Sequence, residues 1–146
     1  MSGQPAPGSN PWLCMDCTSL SVAEPGLPPV LIINQNQPFE LSTDFNFSGT
    51  MALGLIWLMA GVPGNDFNVE YFYEGIGAAA PEGSFGVVPL VATAGVLNYG
   101  APNTTLTVPA NTVPAGTYKL TCVVTMQAPL FGWLTGFYEG DIIQIF

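Results

Sequence analysis

One lysine (Lys119), ten carboxylates, three cysteines and no histidine or arginine are the groups from which this 146-residue sequence would have to build a reactive centre. Without an imidazole there is no Ser-His-Asp or Cys-His nucleophile. Without arginine there is no planar fork for phosphate or carboxylate. A Ser-Lys dyad would rest on Lys119, which the alternation around it places mid-strand on an outer face. The best remaining pair is Glu139 and Asp141. In a regular strand, residues two apart project from one face, roughly 6 to 7 Å apart, a spacing that suits the acid and base of glycoside hydrolysis. Gly140 between them makes a bulge equally natural, and solvated acids near a strand end is the simpler reading. Glu70 with Glu74, or Asp66 nearby, is the candidate for a weak divalent cation held by oxygen ligands, although no loop gathers three or four acids. The sequence contains no GK[ST], GxGxxG or EF-hand loop. No cofactor and no enzymatic activity are expected.

The cysteines are Cys14, Cys17 and Cys122. Cys14-Met15-Asp16-Cys17 is a lone CxxC. A structural zinc site needs four ligands, and with no histidine and one further cysteine a single chain cannot complete the set. No βαβ pattern surrounds the motif, as a thioredoxin-like site would require. The expectation is two thiols in an extended arm, with a local disulfide as a variant, and with Cys122 lacking a partner cysteine on an earlier strand.

The net charge of -9 excludes nucleic acid as a partner, because backbone binding needs lysines and arginines that displace counterions. Anionic membrane surfaces are disfavoured for the same reason. The longest apolar run, Met51 to Val62, falls short of the roughly 20 residues of a membrane-spanning helix. Met1 to Cys14 has no cationic start and is not expected to be a signal peptide. Charged residues make up 8% and apolar residues 49% of the chain, against roughly 25% charged in an average soluble domain. Such a surface is expected to be covered in part by neighbouring copies.

The elements that must position these groups read as β throughout. Residues 1 to 29, punctuated by Pro5, Pro7, Pro11, Pro25, Pro28 and Pro29, read as an extended N-terminal arm with Trp12, Leu13 and Leu20 as apolar anchors. Residues 30 to 146 read as one β domain. Phe39, Leu41, Thr43, Phe45 and Phe47 alternate with polar residues, the cleanest period-2 run in the chain. Ala52 to Ala60 is apolar on both faces and reads as a strand covered on both sides, with Gly49, Gly54 and Gly61 favouring strand over buried helix. Phe67 to Glu74, Phe85 to Val91, Val96 to Tyr99, Thr104 to Val108, Thr117 to Met126 and Gly136 to Phe146 follow as strands.

The expected fold is all-β: a single antiparallel β-sandwich, Ig-like or jelly-roll-like, of about 7 to 9 strands. Val113-Pro114-Ala115-Gly116-Thr117-Tyr118-Lys119-Leu120-Thr121 resembles the turn and penultimate strand of bacterial Ig-like and fibronectin-III-like sandwiches, where a Pro-x-Gly turn precedes a Tyr-containing strand. The resemblance covers about ten residues and implies fold alone.

The function expected is structural: self-assembly into a homo-oligomer, filament, sheath or shell by apolar burial and by arm or strand exchange. The contacts expected are Trp12 and Leu13 in the arm, Leu31, Ile32 and Ile33 as an adding strand, and Phe131 and Trp133 in a hydrophobic loop. The alternative is a non-catalytic module binding carbohydrate or a protein partner. Its aromatic face would draw on Trp57, Tyr71, Phe72, Tyr73, Phe131, Trp133, Phe137 and Tyr138.

Overall fold

The structure, a computed structural model, describes residues 14–62, 66–77, 81–128 and 132–146, with the backbone alone for 127–128 and 132–134. Among the described residues, nine strands and one helix run in the order β1 (Cys14–Ala23), β2 (Ile32–Ile33), β3 (Phe39–Ser48), α1 (Ala52–Ala60), β4 (Phe67–Gly75), β5 (Glu82–Leu90), β6 (Asn98–Tyr99), β7 (Leu106–Val108), β8 (Gly116–Ala128) and β9 (Gly132–Ile145). One sheet is built on β1-β3-β6, with β7 also paired to β3; the other runs β2-β9-β8-β4-β5. The fold is therefore an all-β sandwich, as the alternation predicts.

The two long period-2 runs build opposite walls of the core. In β3 every second residue from Phe39 to Phe47 is buried. In β8 the buried set is Tyr118, Leu120, Cys122, Val124 and Met126. Phe45, Phe47, Phe67 and Tyr99 meet between the walls with ring centroids 5.1 to 6.0 Å apart. Each such ring contributes about 1.5 to 3 kcal/mol by leaving water. Tyr118 sits just after the Pro114-Ala115-Gly116 turn, and its hydroxyl donates to the Pro114 carbonyl at 2.7 Å. That bond ties the start of the penultimate strand to the turn before it, in the manner of the tyrosine corner of Ig-like sandwiches.

Three expectations are corrected. First, the segment 14–23 is not part of an extended arm. It contains neither Pro nor Gly, and it pairs with β3 from Cys14↔Ser48 to Ala23↔Glu40 as an edge strand. Pro25, Pro28 and Pro29 fall in the turn that follows, where Gly26 takes a positive φ of 77° and the Leu27 amide donates to the Glu24 carbonyl. Second, Ala52–Ala60 is a helix. Its buried residues are Ala52, Leu55, Ile56 and Met59, the i, i+3, i+4, i+7 stripe of a helix packed on one side. Leu53, Trp57 and Leu58 are apolar as well, so that stripe has no polar contrast to reveal it. Gly54 costs the helix about 1 kcal/mol relative to Ala, and Ala, Leu and Met elsewhere in the turn offset it. Third, the pairing is not antiparallel throughout, because Ile32–Ile33 runs parallel to Gln144–Ile145.

Inside the apolar core lies one polar knot. Thr43, in the middle of β3, is 1% exposed and Thr104 is fully buried. The Thr104 hydroxyl accepts from the Thr43 amide at 3.3 Å and donates to the Thr43 carbonyl at 2.7 Å. The Thr43 hydroxyl donates to the Ser19 carbonyl of β1, and the Tyr71 hydroxyl of β4 donates to the Thr104 carbonyl. Among the described residues, no buried side-chain nitrogen or oxygen lacks a partner.

Thr104→Val removes the group that satisfies both backbone atoms of Thr43, and is expected to cost about 1 to 3 kcal/mol. Thr104→Ser should recover most of it. Urea unfolding of the two variants checks this; equal stability of Val and wild type would contradict it. Burial also pushes the Tyr71 phenol well above its ordinary range. A group whose pKa is raised on folding contributes stability that is intact below the unfolded value near 10 and is lost as pH rises above it. Burial raises Tyr99 and Tyr118 as well, so tyrosinate absorbance should show a delayed fraction, with Tyr71 ionising only on unfolding. Titration of all five tyrosines near pH 10 with the fold intact would contradict this.

Candidate functional site

The acids that the sequence offers for chemistry are dispersed by the fold. The ladder between β8 and β9 shifts register between Lys119 and Thr121, opposite the stretch that contains Gly140. Glu139 thereby faces the Lys119 ammonium at 3.1 Å, and both side chains are well exposed to water. Such a pair contributes less than about 1 kcal/mol. Asp141 instead lines a cavity of about 300 Å³ together with Leu20, Val22, Val30 and Leu120. Glu139 is engaged by Lys119 and is not among the residues that line this cavity with Asp141.

The cation candidates are likewise used singly. Asp66 is buried, and its carboxylate accepts the Ala92 amide at 2.7 Å. Glu70 accepts the Ser84 hydroxyl at 2.7 Å. Glu74 lies opposite Lys119 in the ladder. Among the described residues, no three Cys, Asp or Glu side chains gather as a metal site.

The aromatic set divides between core and surface. Tyr71 is buried, and Tyr73 packs on Phe85 and Tyr118. Phe72 and Tyr138 are half-buried. Trp57 and Phe137 are exposed, but on α1 and β9 respectively. No continuous aromatic platform forms among the described residues.

What the fold does assemble is apolar surface at its two ends. The polypeptide leaves the first sheet at Ser48, turns at Gly49 (φ 107°) and enters the second sheet at Phe67, and α1 spans that crossing. Packing Ala52, Leu55, Ile56 and Met59 on the core leaves Met51, Leu53, Trp57, Leu58 and Val62 facing water, with Trp57 59% exposed. No charged residue occurs between Phe45 and Asn65. The register places this helix at the end where Cys14 pairs with Ser48, Phe67 with Met126 and Leu90, and Ala128 with Gly132. Exposed Val91 follows at once from Leu90.

The opposite end is set by the last residues of β9. There Ile33 is buried, while Leu31, Ile32 and Phe146 are exposed, Ile32 at 61%. The strand β2 is already paired within its own chain: the Gln144 amide donates to the Leu31 carbonyl and the Phe146 amide to that of Ile33. Of the contact residues expected from sequence, Leu31 and Ile32 present side chains to solvent and Ile33 does not. Trp12, Leu13 and Phe131 lie outside the described residues, and Trp133 is placed in β9 opposite Gln127. Sequence reasoning misses Met51, Leu53 and Leu58, and names Trp57 only for an aromatic sugar-binding or partner-binding face, because it reads their segment as a covered strand. The signal that could have found them is the lack of any charge over so long an apolar run. Among the described residues, no helix is long and apolar enough to cross a membrane.

No known family profile matches this sequence, and no curated protein matches it either. Solved structures do resemble it. The C-terminal domain of wzt superposes with a TM-score of 0.55 at 9% identity, over 98% of this chain and 82% of that one. The CARDB domain of the PF1109 protein from Pyrococcus furiosus gives a TM-score of 0.40 at 10% identity, over 99% and 95% of the two chains. The superoxide reductase (neelaredoxin) from Ignicoccus hospitalis gives 0.39 at 13% identity, over 89% and 82%. At such identities the likeness to the wzt domain bears on the fold alone, and it agrees with an all-β sandwich.

Proposed function

We propose that the protein is a non-catalytic structural subunit that assembles with copies of itself, end to end. The observation that carries this reading is the pair of exposed apolar patches at opposite ends of the sandwich, one on α1 and one around Leu31, Ile32 and Phe146. Exposed large apolar side chains grouped in this way mark contact surfaces. Two different patches, one beside the crossing helix and one beside the last residues of β9, favour a heterologous contact, in which the α1 end of one copy meets the β2 end of the next. A contact of that kind closes into a ring or continues as a filament. The charge of -9 works against it, since like-charged copies repel. Screening by salt therefore strengthens the assembly.

Two charge insertions test the reading, each at an exposed side chain where the fold tolerates it. Trp57→Glu spoils the α1 end and Ile32→Glu spoils the β2 end. Light scattering should find wild-type protein in multimers whose mass grows with salt, and each variant alone dissociated. Mixed together, the variants should form capped dimers, because each retains the end that the other lacks. A variant that still assembles like wild type would remove its patch from the contact. Wild-type protein that stays monomeric at all salt concentrations would overturn the reading and favour a module for a carbohydrate or protein partner.

A further inference from the structure

The two thiols that the sequence treats as unrelated meet inside the sandwich. Cys17 lies in β1 of the first sheet and Cys122 in β8 of the second. Both are buried, at 8% and 0% exposure, and each thiol lies near enough to the other to perturb its ionisation. The Thr43 hydroxyl lies 3.4 Å from the Cys122 sulfur. On β9, a Cβ added at Gly136 would lie 3.3 Å from the Cys17 sulfur and close to Met15, so this glycine leaves the room that the thiol occupies. Cys14 is not a competitor for Cys17. Strand pleating sends Met15 and Cys17 inward and turns Cys14 and Asp16 the other way. The local CxxC disulfide would require β1 to be broken.

We propose that Cys17 and Cys122 form a disulfide across the core, closed as the chain folds, which joins the first strand to the penultimate one. The oxidant is a small disulfide such as oxidised glutathione. One cysteine thiolate attacks it, forming a mixed disulfide and releasing one glutathione thiolate. The second cysteine thiolate attacks the protein sulfur of that mixed disulfide and releases the other. Two protein thiols are oxidised by two electrons, and one glutathione disulfide is reduced to two thiols, which take up the two protons. In the finished fold both sulfurs are sealed from solvent. The exchange therefore belongs to the open chain, before the sheets close.

The test is to refold the full chain from denaturant in a glutathione redox buffer, quench with acid, and map the linked peptides by mass spectrometry. The expected product is about 2 Da lighter than the reduced chain, with Cys17 joined to Cys122 and Cys14 still alkylatable. Closing a loop of about 100 residues should raise Tm by about 8 to 15 °C over the reduced protein. Cys14→Ser should keep both the link and the shift, and Cys122→Ser should lose both. Reduced protein that is already folded should oxidise far more slowly than the refolding chain. A link that involves Cys14, a glutathione adduct in place of a link, three alkylatable thiols, or an oxidised form no more heat-resistant than the reduced one would each overturn the proposal. The peptide map is made on wild-type protein, so it identifies the linked pair even if a serine variant fails to fold.

Discussion

Thr43 sits in the middle of the most regular strand of the chain, facing an interior made of Phe, Leu, Met, Val and Tyr. Its amide, carbonyl and hydroxyl would each cost free energy if left unpaired there. Thr104 satisfies the backbone pair, Ser19 takes the hydroxyl, and Tyr71 closes the circuit through the Thr104 carbonyl. These bonds come from β1, β3, β4 and the turn before β7, so one register of those four elements satisfies all of them together. The adjoining Cys122 adds β8 to the same contact. A sequence with so few charges has few surface ion pairs with which to select its arrangement. A buried polar knot that tolerates one alignment supplies that selection, while the aromatic cluster beside it supplies the bulk of the apolar burial.

Sequence reading is accurate wherever the two faces of an element differ chemically. The run Phe39–Ser48 shows its inward face because polar residues mark the outward one, and the same contrast places Tyr118 to Met126 on the core side of β8. It fails where that contrast vanishes. Residues 52–60 carry apolar side chains around the full turn, so neither period 2 nor period 3.6 stands out. The helix lies where the chain crosses from one sheet to the other between Ser48 and Phe67, and it buries Ala52, Leu55, Ile56 and Met59 there. β1 is concealed by its neighbours: prolines on both sides make the segment look like an arm, although none lies within 14–23 itself. The meeting of Cys17 with Cys122 depends on which strands face each other, and spacing along the chain carries no trace of that. Of the candidate surface, Leu31 and Ile32 are legible as an exposed apolar segment, and the α1 face is not.

The apolar ends and the acidic charge give the molecule opposed tendencies. Side chains such as Trp57, Leu58, Ile32 and Phe146 gain by leaving water, and ten carboxylates set against one lysine keep copies apart at low ionic strength. The acids lie outside the α1 face, since none occurs between Phe45 and Asn65. Contact through that face therefore buries no carboxylate of the helix. The disulfide inferred for the core is independent of this surface: it would fix the sandwich that presents the two ends without altering either of them.

Amide hydrogen exchange across residues 51–62, followed as protein concentration is raised at fixed salt, reads out whether copies meet through α1. If a second copy covers the exposed face of α1, exchange in this segment slows with concentration while the core of β8, already protected, stays unchanged. Exchange that is independent of concentration, in particles of one 15.4 kDa chain, would show that α1 is not a contact between copies.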